Sequence, residues 1–374
     1  MALKSWAKSL PNPANKRKKI QCTLEIHNLQ DETTGITKEI LDKEAQLQQN
    51  YPKACLAEEE YWRLNSCSLW LKAGDKNSSL FHKRAQVRKC TNSISEIKDC
   101  TTIHKDNANI KKATSLHFKI LNSEDINLDQ NSDMMDVFPS LISAEMNHLL
   151  EAKVTKNEVN DALFAMDPDK APRPDGFSAR FLQICWSIVE NDLYKMVLKS
   201  QVWQKIGGST NSSFLALIPK EKGANSFNKF HPISLCNIGY KLITKVIANR
   251  LKLILPKIIP ESQGGFIQGR QIVDNFILVQ EVIHSSLSRN EKCMVVKLDL
   301  ANAFDRVKHI FLLKVLHKLG FGEKFINWIR ACILEPWFHP LVNGKVTDFF
   351  QSHERAQIGV PSLTTSICSS SLCP

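Results

Sequence analysis

No apolar run in this 374-residue sequence approaches the roughly 18–20 residues that cross a bilayer, so no membrane-spanning helix is expected. No CxxC pair occurs among the eleven cysteines. Their scatter and odd number fit neither a zinc ribbon nor a disulfide framework, so the expectation is reduced thiols in an intracellular compartment, nuclear or cytoplasmic. The N-terminal "MALKSWAKSLPNPANKRKKIQ" has no acidic residue and no continuous apolar stretch, which excludes a secretory signal. It reads as a basic helix end, with a transit or nuclear signal as the alternative. No internal repeat is present. What the sequence does have is 43% apolar residues, ample for a core, and an excess of 49 Lys+Arg over 38 Asp+Glu. The resulting charge of +11 favours a polyanionic partner, nucleic acid before an anionic membrane surface, against the plainer reading of a basic globular protein. The length points to two or three structural units.

Along the chain, residues 20–65 have apolar positions interleaved with Glu, Lys and Gln and almost no glycine, a helical pattern. After the Gly74-Asp75 turn, Leu80–Lys89 is helical and carries Lys83, Arg84, Arg88 and Lys89, flanked by Phe81 and Trp70. That basic cluster either holds phosphates or is an ordinary solvated face. Residues 121–140 turn acidic and aperiodic, as a linker or exposed loop does. Helical periodicity resumes near Leu163, is interrupted by a turn at Lys170–Gly176 with two prolines and Asp-Gly, and continues from about Ala179 to Trp203. "SSFLALIPK" (212–220) is a short apolar strand and "NIGYKLITKVIANRLKLILPKIIP" (237–260) an amphipathic helix. "QEVIHSSL" begins a further helical stretch. "CMVVKLDL" (293–300) reads as a buried strand and "HIFLLKVLHKLGF" (309–321) as a helix.

The strand reading of 293–300 sets Asp299 at a strand tip, where a carboxylate suits a hard divalent ion such as Mg²⁺ that demands oxygen ligands. Phe304, five residues on, is placed to lie under a bound sugar, and Asp305 near a helix start reads as a cap. The alternative is surface punctuation before a helix.

The blocks "KAPRPDG", "LIPK", "HPISL", "YKLITKVIANRL", "SQGGFIQGRQIVDN", "KLDLANAFDRV" and "VNGK", in this order, resemble the reverse transcriptase of plant non-LTR (LINE-type) retrotransposons over about residues 50–353. The segment "EYWRLNSCSLWLKAGDKNSSLFHKRA" resembles the linker preceding that polymerase. The resemblance implies an α/β (α+β) fold: a helical basic linker region (1–120), an acidic loop (121–140), fingers and an incomplete palm (141–353), and a divergent tail (354–374). It implies Asp299 as a catalytic, Mg²⁺-binding aspartate and Phe304 as the gate against the ribose 2′-OH. Lys220 is implied near the incoming triphosphate, and Gly269 with Arg270 against template or nucleotide. The implied partners are an RNA template, a DNA primer and deoxynucleoside triphosphates. Against these stand plainer roles: Lys220 as a solvated strand end, Arg270 as a structural ion-pair partner, Phe304 as a core residue.

Departures from the family pattern carry expectations of their own. Arg173 stands where the family turn has glycine, a strained choice if that position needs positive φ. His231 replaces an arginine, and a neutral imidazole is a poorer anion ligand. After Phe350 the resemblance stops: "HERAQIGVPSLTTSICSSSLCP" replaces the expected block, the Y-x-D-D carboxylates do not occur, and neither do the thumb and the upstream endonuclease. The expectation is a C-terminally truncated, inactive polymerase, with a non-catalytic nucleic-acid-binding remnant or a non-functional pseudogene product as alternatives. A frameshift near 355–360 would explain the tail; source DNA encoding Pro-Leu-Ser-Pro one base out of frame is the expected finding, and its absence sinks the idea.

Overall fold

The computed structural model describes residues 13–34, 38–66, 78–99, 102–121, 138–168, 174–265, 267, 269–296, 298, 307, 309–334 and 336–351. It is α/β, mostly helical with a small mixed sheet, and divides into two units between Ser93 and Ile94. The acidic stretch expected at 121–140 and the tail at 354–374 fall largely or wholly outside the described residues.

Among the described residues, the first unit is three helices: α1 (Pro13–Thr34), α2 (Lys38–Ser66) and α3 (Ser78–Thr91). Pro13 opens α1, where its missing N–H costs nothing. Arg17 of α1 pairs with Glu58 of α2, and the Trp62 and His82 rings meet at 4.1 Å between α2 and α3. Ala54 and Phe81 are the buried apolar side chains here.

The second unit opens with a hairpin, β1 (Ile97–Asp99) and β2 (Thr102–His104), and a helix, α4 (Asn107–Leu121). The sequence pattern groups this segment with the N-terminal helices, but its core side chains go to the sheet. Ile94, Ile97, Ile110 and Phe118 pack with Leu215, Leu217, Phe230, Phe338, Val342 and Phe350. That sheet has the order β4–β3–β5–β6, with β3 (Ser212–Pro219), β4 (Phe230–Cys236), β5 (Trp337–Val342), β6 (Lys345–Val346) and β7 (Phe350–Gln351), the last pairing with β5. β3 pairs antiparallel with β4 and parallel with β5. Strict alternation buries Ser213, Leu215 and Leu217 on one face of β3, the period of two expected of a half-buried strand. Asn343 and Gly344 take φ of 51° and 75°, the left-handed pair that a two-residue hairpin between β5 and β6 requires. The Asn343 amide also clamps the segment before β1: its Oδ1 accepts from Ile94 N at 2.8 Å and its Nδ2 donates to Ile94 O at 2.9 Å.

The larger core is helical. Its elements are α5 (Ala144–Glu151), α6 (Lys156–Phe164), α7 (Ala179–Ile184), α8 (Trp186–Trp203), α9 (Ile238–Lys252), α10 (Leu255–Ile258), α12 (His309–Lys318) and α13 (Glu323–Ile333). α11 (Ile272–Ser288) lies between α10 and α12 in the chain. Helix α9 is the hub. Leu242, Ile243, Val246, Ile247 and Leu251 are all buried, and Tyr240 donates its hydroxyl to Cys332 O at 2.8 Å. Burial raises the Tyr240 hydroxyl pKa well above its usual value.

Two readings of the sequence need correction. The helix expected over 179–203 breaks at Cys185, whose φ of −90° and ψ of 17° leave the helical ladder, and beside the break the Gln183 amide donates to Leu163 O and Met166 O at the end of α6, both at 3.0 Å. Among the described residues of the strand expected over 293–300, namely 293–296 and 298, none has a strand pairing, and Met294, Val295, Val296 and Leu298 are 57–86% exposed. Apolar composition supplies β-propensity, but a strand also needs a partner edge, and none of the sheet's strands pairs with this run.

Candidate functional site

β3 carries the "LIPK" block to one end of the sheet. Lys220 follows Pro219, and its N–H donates to Lys229 O at 2.8 Å, so the ladder continues one residue past the strand. Its Nζ donates to Asn228 O at 2.8 Å. The register sets Ile218 opposite His231, so alternation places Lys220 and His231 on the same sheet face. Lys229 is drawn away by an ion pair with Glu221 at 2.7 Å. The tip is therefore an exposed cationic corner, with the Lys220 ammonium anchored by one of its three donors.

The turn after Lys170 begins outside the described residues, Lys170 and Arg173 included, and the strain question at Arg173 lies there too. Its second half is ordered. Gly176 takes a φ of 81°, and Phe177 N donates to Asp175 Oδ1 at 3.0 Å. Asp175 N donates to Asn237 Oδ1 at 3.0 Å, while Asn237 Nδ2 donates to Ser209 O at 2.7 Å. Asn237, buried at the start of α9, ties the turn to the loop leading into β3. Sequence reasoning passed over it, although an asparagine between a strand and an apolar helix is a recognisable cap signal.

Gly269 has a φ of 87° with open space where a Cβ would stand, so conformation rather than crowding requires glycine. Arg270 serves the backbone. Its Nη1 donates to Pro260 O and to Gln263 O (3.0 Å), and its Nη2 to Ile259 O (2.9 Å) and Pro256 O (3.3 Å). These carbonyls lie at and just beyond α10, where a cation complements the helix end. The plainer alternative of a structural arginine describes this geometry, with carbonyls in place of a carboxylate.

Asp299, Phe304 and Asp305 lie outside the described residues. Among the described residues no group of three or more His, Cys, Asp or Glu could hold a metal ion. On the first unit, Lys83, Arg84, Arg88 and Lys89 are all exposed on α3. At 100° per residue they cover roughly 240° of the helix circumference, a belt and not a single stripe.

In the second unit, the most deeply buried Lys, Arg, Asp or Glu among the described residues is Arg250, which the sequence pattern does not single out. Its Nε and Nη2 bind Glu158 at 2.8 and 3.1 Å, and its Nη1 donates to Leu150 O (2.8 Å) and Ala152 O (2.6 Å). A lone arginine in the apolar run "VIANRLKLIL" was the available signal.

Residues 218–362 match the family described as reverse transcriptase (RNA-dependent DNA polymerase). The chain is 26% identical over 261 residues to the "Transposon TX1 uncharacterized 149 kDa protein" of Xenopus laevis, which covers 69% of this chain and 20% of that protein. It is 32% identical over 130 residues to the "Probable RNA-directed DNA polymerase from transposon BS" of Drosophila melanogaster, covering 34% and 14%. It is 27% identical over 117 residues to the "Retrovirus-related Pol polyprotein from type-1 retrotransposable element R2" of Popillia japonica, covering 31% and 16%. The chain spans a fifth or less of the length of these relatives.

Proposed function

We propose, from the premise that this is a reverse-transcriptase-like protein of the non-LTR retrotransposon kind, that it carries the fingers and part of the palm of an RNA-directed DNA polymerase of the plant LINE type. The observation that carries this reading is the match over 218–362, a span holding Lys220, Gly269, Arg270, Asp299 and Phe304 in order. Its partners by this reading are an RNA template, a DNA primer and deoxynucleoside triphosphates. Lys220 is suited to a triphosphate because its ammonium is exposed at the sheet tip and anchored by a single carbonyl. Arg270 contributes indirectly, by fixing the segment that presents Gly269.

Mg²⁺ supplies charge neutralisation at the transferred phosphate when bound. The carboxylate of Asp299 is right in donor type, and it is one ligand of the several that Mg²⁺ needs. The 374-residue chain contains no Y-x-D-D sequence to supply the others. By this proposal the chain alone extends no primer, because in phosphoryl transfer the charge stabilisation comes from the complete metal cage.

The test is oligo(dT) extension on poly(A) with Mg²⁺ and the purified chain. No extension above background, with RNA retained, is the expected result. Extension that Asp299→Ala abolishes would overturn the inactivity while upholding the family reading. Neither extension nor RNA retention would leave the pseudogene alternative standing.

A further inference from the structure

Helix α11 (Ile272–Ser288) joins neither core. None of its described side chains is buried, and eight large apolar ones between Val273 and Leu287 are 36–73% exposed. They leave about 750 Å² of apolar surface open, beyond the roughly 300–600 Å² patch of an ordinary monomer and near the ~800 Å² that each partner gives a standard interface. A helix with apolar residues round most of its circumference is one that something covers. It is tied to the chain at its start, where Asn275 Nδ2 donates to Ser262 O at 2.9 Å.

The pattern on its surface points to the occupant. Val273, Phe276, Gln280, Ile283 and Leu287 repeat at 3-4-3-4 spacing, the a/d rhythm of a two-helix seam. At 100° per residue they share an arc of about 80°. Asp274, Glu281, Ser285 and Ser288 share an arc of about 60° on the far side. The seam is apolar except at its middle. Gln280 stands there, midway between Val273 and Leu287, exposed and with no hydrogen bond to its amide among the described residues.

A primary amide carries both donors and an acceptor, so it complements a second primary amide. Two-fold pairing of α11 with another α11 brings Gln280 to Gln280 at the centre, whichever way the helices run, with apolar residues on each side. Other occupants fit worse. The helix has no Lys or Arg to meet phosphates or anionic headgroups, and its two acids repel both. An unrelated apolar helix would leave the Gln280 amide covered and unpaired. We propose that α11 is a homodimer interface, two copies of this chain pairing along Val273–Leu287 with their Gln280 amides bonded across the two-fold axis. The interface is independent of the polymerase reading, since it requires neither Asp299 nor any metal.

Sedimentation velocity of the full chain over a concentration series tests it. The expected species has twice the 42.4 kDa chain mass, and Phe276→Glu is expected to raise the dissociation constant about a hundredfold. Leu278 is 60% exposed but lies off the seam, and Leu278→Glu is expected to leave the dimer unchanged. Gln280→Glu and Gln280→Lys are each expected to weaken pairing about tenfold through like charges at the centre, and their equimolar mixture to restore it. All these side chains are exposed, and an unchanged circular dichroism spectrum separates lost pairing from lost fold. A chain that is monomeric at every concentration overturns the proposal, and its own residues are then what covers α11. So does dissociation by Leu278→Glu as large as by Phe276→Glu, or a charge-swapped mixture that stays monomeric.

Discussion

Replacing Arg250 with alanine is expected to destabilise the second unit by about 3 kcal/mol, read as a shift in urea midpoint at constant m-value. The side chain is 6% exposed, and four of its N–H groups are committed: two to Glu158 and two to the carbonyls of Leu150 and Ala152. Alanine leaves both carbonyls without that donor and removes the contact with the Trp328 ring, 5.7 Å away. The figure sits at the low end for a broken buried pair because the Glu158 side chain is 34% exposed and water screens it. Lysine is expected to rescue little, since one ammonium cannot reproduce a planar fork reaching a carboxylate and two carbonyls at once.

Glu158→Gln is expected to cost less, about 1 kcal/mol, because the amide keeps an acceptor for Arg250 and for Thr155 N. Burial works to raise the Glu158 pKa, but the hydrogen bonds from Arg250 and Thr155 outweigh it and the net shift is downward. This contribution is therefore present above the ordinary carboxylate pKa and is lost as pH falls through the lowered one. An Arg250→Ala variant with wild-type stability would falsify this account of how α5, α6 and α9 are held together.

Acidification from neutral pH towards pH 4 is expected to remove about 3 kcal/mol of stability through His309 alone. His309 is 1% exposed, and neither ring nitrogen has a hydrogen-bond partner among the described residues. Burial without a partner disfavours the imidazolium and lowers the pKa from 6.5 to about 4. The sign follows directly. The unfolded chain takes up a proton near pH 6.5 and the folded chain resists until about pH 4, so stability is full above 6.5 and drains away across that window. His117 and His339, also lowered by burial, add to the same direction. His309→Leu is expected to flatten the pH profile and to raise Tm at neutral pH, since it removes two buried polar atoms that have no partner among the described residues. Thermal melts of both proteins across the window decide the matter: parallel profiles would refute a role for His309.

Much of this architecture was legible in the sequence where local pattern and tertiary demand agree. β3 is readable because "SSFLALIP" alternates and buries alternate residues, and α9 because Ile243 and Ile247 fall on one side and both are buried, although the helix expected over 237–260 ends at Lys252. Legibility failed where a single polar side chain decides the geometry. Arg270 spends its donors on carbonyls that no motif reveals, and the break at Cys185 falls inside a run that periodicity would continue. It failed as well at 293–296 and 298, where an apolar run reads as a buried strand but is exposed and unpaired among the described residues. For the candidate site, Lys220 and Gly269 could be placed by motif, and the geometry then supplied a cationic tip and a positive φ.

Asn237 bears on how the chain folds. Its amide is satisfied only once Asp175, 62 positions before it, and Ser209, 28 positions before it, have both arrived. Until then a buried amide stands unpaired, so any half-assembled state that packs α9 without the turn or without the approach to β3 is penalised. The penalty thins out intermediates and steepens the transition, making the turn, the strand and the helix appear together. A side chain that adds modest energy to the finished structure thus couples three separate segments into one cooperative step.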